Sequence, residues 1–280
     1  MAAKKRVVVA GARGVFGSLL VRELADAYDV IATTRETLDL RDVDAVANAA
    51  RGAFAFVCAA GPFQQLDRRI VGAVVDAGAH WLDIADDARW FFDLVDDAQL
   101  DALAKARGVV VMPGLSTLPA ISYALVQRLG APPHVAITLF IGNDNAKGAA
   151  AIASGAALQT PDRELLRRTL GIDADVRTRF EMPGVQLAMR ALAKLPLSAR
   201  IRVAKVLARI AKAFRFGTRG GFVEVRAGTR VERVSGADQR LAILPLVFTL
   251  GELPSPGVHT PAVLDAERLL AFVQRGRRPR

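Results

Sequence analysis

An α/β fold built on a doubly wound parallel sheet is what this sequence predicts, on three observations. Short apolar strands alternate with helical stretches of ten or more residues as far as position 130. Some strands are continuous apolar runs, such as AFAFVCA at 53–59, as expected of a sheet covered on both faces. The third observation is the junction VVVAGARGVFGSLL, in which closely spaced glycines turn the first strand into the first helix.

The first strand is expected over 6–10 and the first helix over 15–27. Between them Gly11 lets the chain turn sharply, Gly14 removes the Cβ that would block an approaching pyrophosphate, and Gly17 lets the helix pack close to the sheet. With Ala12, Arg13, Val15 and Phe16 these glycines form a G-x-x-G-x-x-G loop whose helix-start amides and dipole face an anion. A tight turn with no ligand is the alternative. The second strand is expected over 29–35. Sites that read a free ribose 2′-hydroxyl carry an acid at its end, but this chain has Thr34 and Arg35 there, with the acid displaced to Glu36. A guanidinium suits a 2′-phosphate, so NADP is the predicted cofactor, with Arg13 as a second phosphate ligand. Arg35 as an ordinary solvated charge is the competing reading.

Asp42 is expected to cap a helix over 42–50. The strand at 53–59 breaks at Gly61-Pro62-Phe63, a helix follows over 66–76, and Gly78 ends it. A strand over 80–85, one helix over 89–106, a strand over 109–112 and a helix over 118–129 complete the first unit. Pro132-Pro133 stiffens the connection and sets the expected boundary: a Rossmann-type domain over 1–131, then a smaller mixed α+β domain over 132–280. The second domain would serve substrate or oligomer contacts, and its last helix could return to the first domain. Its expected elements are a strand over 135–141, one or two strands within 222–234, and an edge or broken strand over 241–250 around Pro245. A basic helical region spans 185–214, broken near Pro196. Thr260 and Pro261 are expected to cap a final helix reaching 273.

Composition narrows the class. The 280 residues are 52% hydrophobic and 24% charged, a globular balance. One cysteine, Cys58, permits no internal disulfide, and cytoplasmic residence is the expectation. Lys4, Lys5 and Arg6 precede an apolar run as in a signal peptide, but Gly11 and Arg13 interrupt it, so that reading is rejected. The net charge of +10 is lopsided: 14 Lys/Arg stand against 16 Asp/Glu up to His134, and 24 against 12 beyond it. The second half therefore favours anionic partners, foremost a small acidic or thioester-linked substrate. Arg202, Lys205, Arg209 and Lys212 recur at helical spacing. A solvated basic face is the preferred reading, ahead of a homodimer contact and of membrane docking. Nucleic acid is not expected, because no reading motif accompanies the charge.

Four segments in order, GARGVFG (11–17), CAAGPF (58–63), DAGAHWLDIADD (76–87) and MPGLSTLP (112–119), resemble the saccharopine dehydrogenase-like oxidoreductases over about residues 6–130. PSPGVHTPAVLD (254–265) is a weaker echo. The resemblance implies an NADP-binding Rossmann domain joined to a substrate domain. It also implies that the turn Ala60, Gly61, Pro62 and Phe63 lies along the cofactor toward the nicotinamide.

In an open α/β sheet ligands bind outside the carboxyl ends of the strands. Gln64 is placed there to hydrogen-bond substrate or carboxamide. Asp83 and Asp86 are the candidate proton donors, with helix capping or substrate-ammonium binding as alternatives. His80 is read as structural and Cys58 as a core residue. A Tyr-x-x-x-Lys pair is absent, since Gln127 and Ala32 stand at that spacing after Tyr123 and Tyr28. No Cys/His spacing suits a metal. The expected function is hydride transfer to or from a C=N, C=O or C=C group; the alternative is an NADP-binding sensor or scaffold without turnover.

Overall fold

The computed structural model describes residues 3–142, 159–181, 183–213 and 217–276. Its first sheet is built from β1 (Arg6–Ala10), β2 (Asp29–Thr33), β3 (Ala55–Cys58), β4 (His80–Asp83) and β5 (Val110–Met112). A two-residue strand late in the chain, Gly257–Val258, adds a sixth at the edge beside β5. The spatial order is that late strand, then β5, β4, β3, β1 and β2, with every pairing parallel. This is the doubly wound arrangement, and its switch in strand order falls beside β1.

Helices α1 (Val15–Leu24), α2 (Val43–Ala50), α3 (Arg69–Asp76), α4 (Ala88–Val95) and α5 (Ala98–Arg107) connect these strands. The central strands are buried on both faces, with Val7, Val9, Phe56, Val57, Trp81 and Leu82 within 0% exposure, which is why they read as unbroken apolar runs. Asp42 caps α2, accepting from the Ala45 amide at 3.0 Å. The single helix expected over 89–106 is two helices. Asp97 breaks it by accepting the Gln99 and Leu100 amides, each at 3.0 Å, and so starts a new helix. The helix expected from 118 begins with a wide turn, Thr117–Ile121, and becomes α6 only over Ser122–Arg128.

Beyond Pro133 lies a second sheet of β6 (His134–Ile141), β7 (Asp173–Phe180), β8 (Gly220–Ala227) and β9 (Arg230–Ala237). Its order is β7-β6-β8-β9, parallel between β6 and β7 and antiparallel elsewhere. Buried Val135, Ile137, Val223, Val225 and Val234 give it an apolar face. Helix α7 (Asp162–Leu170) packs on β7, and α8 (Pro183–Ala193) and α9 (Leu197–Ala213) bridge β7 to β8.

Residues 238–251 form a short helix α10 (Asp238–Leu241) and helix α11 (Leu244–Gly251), in place of the broken strand expected there. Pro245 lies in the first turn of α11, where its missing amide donor costs nothing. A run that is apolar all round suits a buried helix as well as a buried strand. Thr260 caps only a short turn, Pro261–Val263. Asp265 starts the final helix α12 (Ala266–Arg275) by accepting the Arg268 amide at 3.0 Å. Leu269, Leu270 and Val273 of α12 are buried, and Glu267 holds Arg128 of α6 through two hydrogen bonds of 3.0 and 2.9 Å. The end of the described chain thus packs against α6 and α11. Leu270→Ala should therefore lower unfolding stability by about 2–5 kcal/mol, and a denaturant midpoint unchanged from the parent would show that α12 is not integral to that core.

Candidate functional site

The glycine loop is held by its own backbone. Gly14 donates to the Gly11 carbonyl at 2.8 Å and the Ala12 amide donates to the Thr33 carbonyl at 2.9 Å. Gly11 has φ +81°, and a Cβ there would lie 2.9 Å from the Ala60 backbone, so the loop and the turn after β3 touch through this residue. A Cβ on Gly17 would sit 2.1 Å from the Gly11 carbonyl oxygen. Gly14 is the N-cap of α1 and provides no side-chain cap, so the first amides of that helix face outward without one. These features fit a dinucleotide's pyrophosphate: the turn closes on itself only where side chains are missing, and the helix start it leaves offers amide donors to an anion.

Beside this loop, the end of β2 presents Thr34, Arg35 and Glu36. The Glu36 carboxylate accepts from the Thr34 hydroxyl at 2.5 Å and from Arg13 at 3.2 Å. The Thr34 bond, then a backbone hydrogen bond and the charges of Arg13 and Arg35, hold the Glu36 carboxyl below its ordinary range. Glu36 thus links Arg13 and Thr34, with Arg35 between Thr34 and Glu36 in the chain, and Glu36 is a partner the sequence placed only as a displaced acid. It is positioned to compete for Arg13 with any phosphate.

The ends of β3, β4 and β5 form the adjoining rim. Ala60, Gly61 and Pro62 lie at the surface beside Gly11, while Phe63 is buried against Trp90 with ring centres 5.7 Å apart. Gln64 donates to Asp87 at 2.8 Å, and Asp87 also caps α4 through the Trp90 amide at 2.9 Å. Gln64 is therefore committed to a neighbouring loop as well as being near the site.

Asp83 and Asp86 are different kinds of acid. Asp83 is fully buried: one oxygen accepts the Trp81 and Trp90 indole N–H groups, each at 2.9 Å, and the other accepts the Ala85 and Gly114 amides at 2.9 and 3.0 Å. Burial pushes its pKa up against the pull of these donors. Every partner can only donate, so the ionised carboxylate is the form this cage accommodates. Asp86 is half-buried two residues beyond the Ile84 backbone, and its pKa is raised to about 7, mainly by burial and then by the charges of Asp87 and Asp162. A carboxyl that exchanges its proton near neutrality is suited to acid–base work.

Asp162 was not singled out in the sequence, although Thr160-Pro161-Asp162 carries the residue types of a helix start. It opens α7, is 1% exposed, and accepts the Ser122 hydroxyl, while its Oδ2 has no hydrogen-bond partner. Burial raises its pKa to about 6. The Gln159 carbonyl accepts the Ala88 amide at 2.8 Å, which ties this segment to the loop carrying Asp86 and Asp87. Cys58 is buried, and burial pushes its thiol up to about 12, in keeping with a core role. His80 accepts the Val110 amide at 2.9 Å at the opposite end of its strand and takes no part in the rim. Among the described residues no group of His, Cys, Asp and Glu is arranged to hold a metal.

Comparison with solved structures shows where this fold recurs. Apo saccharopine dehydrogenase (L-Glu forming) from Saccharomyces cerevisiae superposes with a TM-score of 0.58 over 97% of this chain and 96% of that one, at 10% identity. An amine dehydrogenase from Mycobacterium smegmatis gives 0.52 over 94% and 96%, at 12% identity. The chain therefore has a saccharopine dehydrogenase-like fold, as the sequence motifs imply. No protein-family model matches it, and no curated protein matches it by sequence.

Two outcomes follow from the acids. Asp83→Asn places an amide NH2 against indole and backbone donors and should cost roughly 2–4 kcal/mol in stability; a denaturation curve unchanged from the parent would remove Asp83 from its structural role. Asp162 and Asp86 bind protons more tightly folded than unfolded, so they make stability fall as pH rises from about 4 to about 7. Asp162→Asn should flatten that slope, read from urea unfolding at several pH values. A slope equal to the parent's would contradict the raised pKa.

Proposed function

We propose that the protein is an NADP-dependent oxidoreductase that moves a hydride to or from a C=N, C=O or C=C group of a small anionic substrate. The observation that carries this reading is the glycine loop, a strand-to-helix turn that closes on itself only because Gly11 and Gly17 lack a Cβ and that leaves the start of α1 without a side-chain cap. Two solved structures with this fold are named as dehydrogenases, which supports the same class of chemistry.

Gly11, Gly14 and the first amides of α1 would hold the pyrophosphate, and Arg13, Thr34 and Arg35 the adenosine phosphate. Ala60, Gly61, Pro62 and Phe63 would border the nicotinamide half. The cofactor, when bound, supplies or accepts the hydride. The chain's own part is to orient substrate and to exchange a proton at the Asp86 carboxyl. Asp83 holds the rim in place and leaves that proton to Asp86. The basic surplus beyond His134 draws an anionic substrate toward the rim.

Cofactor selectivity tests the phosphate assignment. Titration should show tighter NADPH than NADH binding, with Arg35→Ala weakening NADPH by about 10-fold through loss of a charge-assisted contact. Glu36→Gln should strengthen NADPH binding by releasing Arg13 from its ion pair. Equal affinities for both cofactors, unmoved by either substitution, would refute the assignment. In the reductive direction kcat should fall as pH rises through about 7, as Asp86 loses its proton. Asp86→Asn should lower kcat by roughly 10²–10⁴-fold and abolish that pH step, whereas a retained step would place the donor elsewhere.

A further inference from the structure

We propose that the helix pair α8–α9 docks the protein onto an anionic lipid surface. The sequence between Glu181 and Glu224 contains nine Lys/Arg and no Asp or Glu. Among the described residues eight large apolar side chains are exposed, and five belong to this pair and its connecting turn: Leu187, Leu195, Val203, Val206 and Leu207. Leu187 is 70% exposed and Val206 52%. Apolar surface and positive charge are therefore uncovered in the same place.

Their arrangement within α9 is that of a helix lying in an interface. Ala204 is fully buried and marks the face turned to the protein. At 100° per residue, Val203, Val206 and Leu207 fall on one flank of that face, and Arg202 and Lys205 on the other. All five are exposed. Such a helix can sink its aliphatic flank among acyl chains while its cations meet lipid phosphates. On α8, Leu187 and Arg190 stand one turn apart and are both exposed, which extends the pattern. The sequence reading preferred a solvated stripe because spacing reveals the cations but not which aliphatic side chains remain uncovered.

Charge complementarity selects the occupant. A second copy docked through this face would set its exposed Arg190, Lys194, Arg202 and Lys205 against cations of the same kind, with no acid in the segment to pair them, and like charges oppose that contact. Nucleic acid would satisfy the cations and leave the exposed aliphatic flank uncompensated. No helix among the described residues is long and apolar enough to cross a membrane, so the contact proposed is with the surface.

The test is co-sedimentation of the full chain with phosphatidylcholine vesicles, with and without about one-third phosphatidylglycerol; Arg202→Gln with Lys205→Gln should weaken binding to the anionic vesicles about 10-fold or more. Leu187→Ser with Val206→Ser should weaken it comparably, and both variants should keep the parent's melting temperature because the changed side chains are exposed. Neutral vesicles should bind little, and high salt should release the bound protein. Absence of binding to anionic vesicles, or binding that survives both double substitutions, would overturn the proposal. So would a dimer in solution that the aliphatic substitutions split, or binding to duplex DNA that depends on the aliphatic pair as the vesicles should.

Discussion

The Asp83 carboxylate and its four donors hold the working end of the sheet together. A buried charge is tolerated only when its oxygens are fully hydrogen-bonded, and here the donors come from four separate places. Trp81 belongs to the same strand, Ala85 to the loop beyond it, Trp90 to α4, and Gly114 to the turn after β5. One anion therefore fixes the exit of β4, the start of α4 and the exit of β5. The remaining packing follows: Trp81 stacks on Phe56 with ring centres 5.5 Å apart, and Trp90 rests on Phe63 of the neighbouring turn. The half-buried position of Asp86 and the Gln64–Asp87 bond are set on that clamped rim.

The glycine loop imposes a comparable constraint on the other side of the crevice. Contact between Gly11 and Ala60 makes the loop and the β3 exit a single surface, so the stretch that would receive a pyrophosphate is continuous with the turn that would border the nicotinamide. Carboxylates of opposite habit then divide the rim. Burial raises all three, but Asp83 is surrounded by four donors, whereas Asp86 and Asp162 are held up chiefly by burial, Asp86 also by the charges of Asp87 and Asp162, and keep their protons to near-neutral pH. Groups whose environments separate them in this way tend to take separate roles.

Local signals were enough to read the βαβ order, the glycine loop and the Asp42 cap, because periodicity and turn chemistry act over a few residues. What escaped depends on distant partners. Asp83 and Asp86 look alike in sequence, and only the Gly114 amide and the Trp90 indole, delivered by the fold, make one of them structural. Helix α7 and strand β7 were missed: DADVRTRF alternates, but its polar residues mask a strand that pairs along its length with β6. The run at 241–250 is apolar on all sides, so periodicity could not separate helix from strand there. Arg13 and Glu36 meet across 23 positions, a distance at which charge pattern alone does not assign pairs.

The account rests on the claim that the start of α1 receives a dinucleotide phosphate. Amide chemical shifts of 15N-labelled protein, followed during NADPH addition, test it most directly. The largest perturbations should fall on the amides of Gly14, Val15, Phe16 and Gly17, with smaller ones at Thr34–Glu36 and at Ala60–Phe63. Saturable binding that leaves the Gly14–Gly17 amides unmoved, or no binding at all, would contradict it.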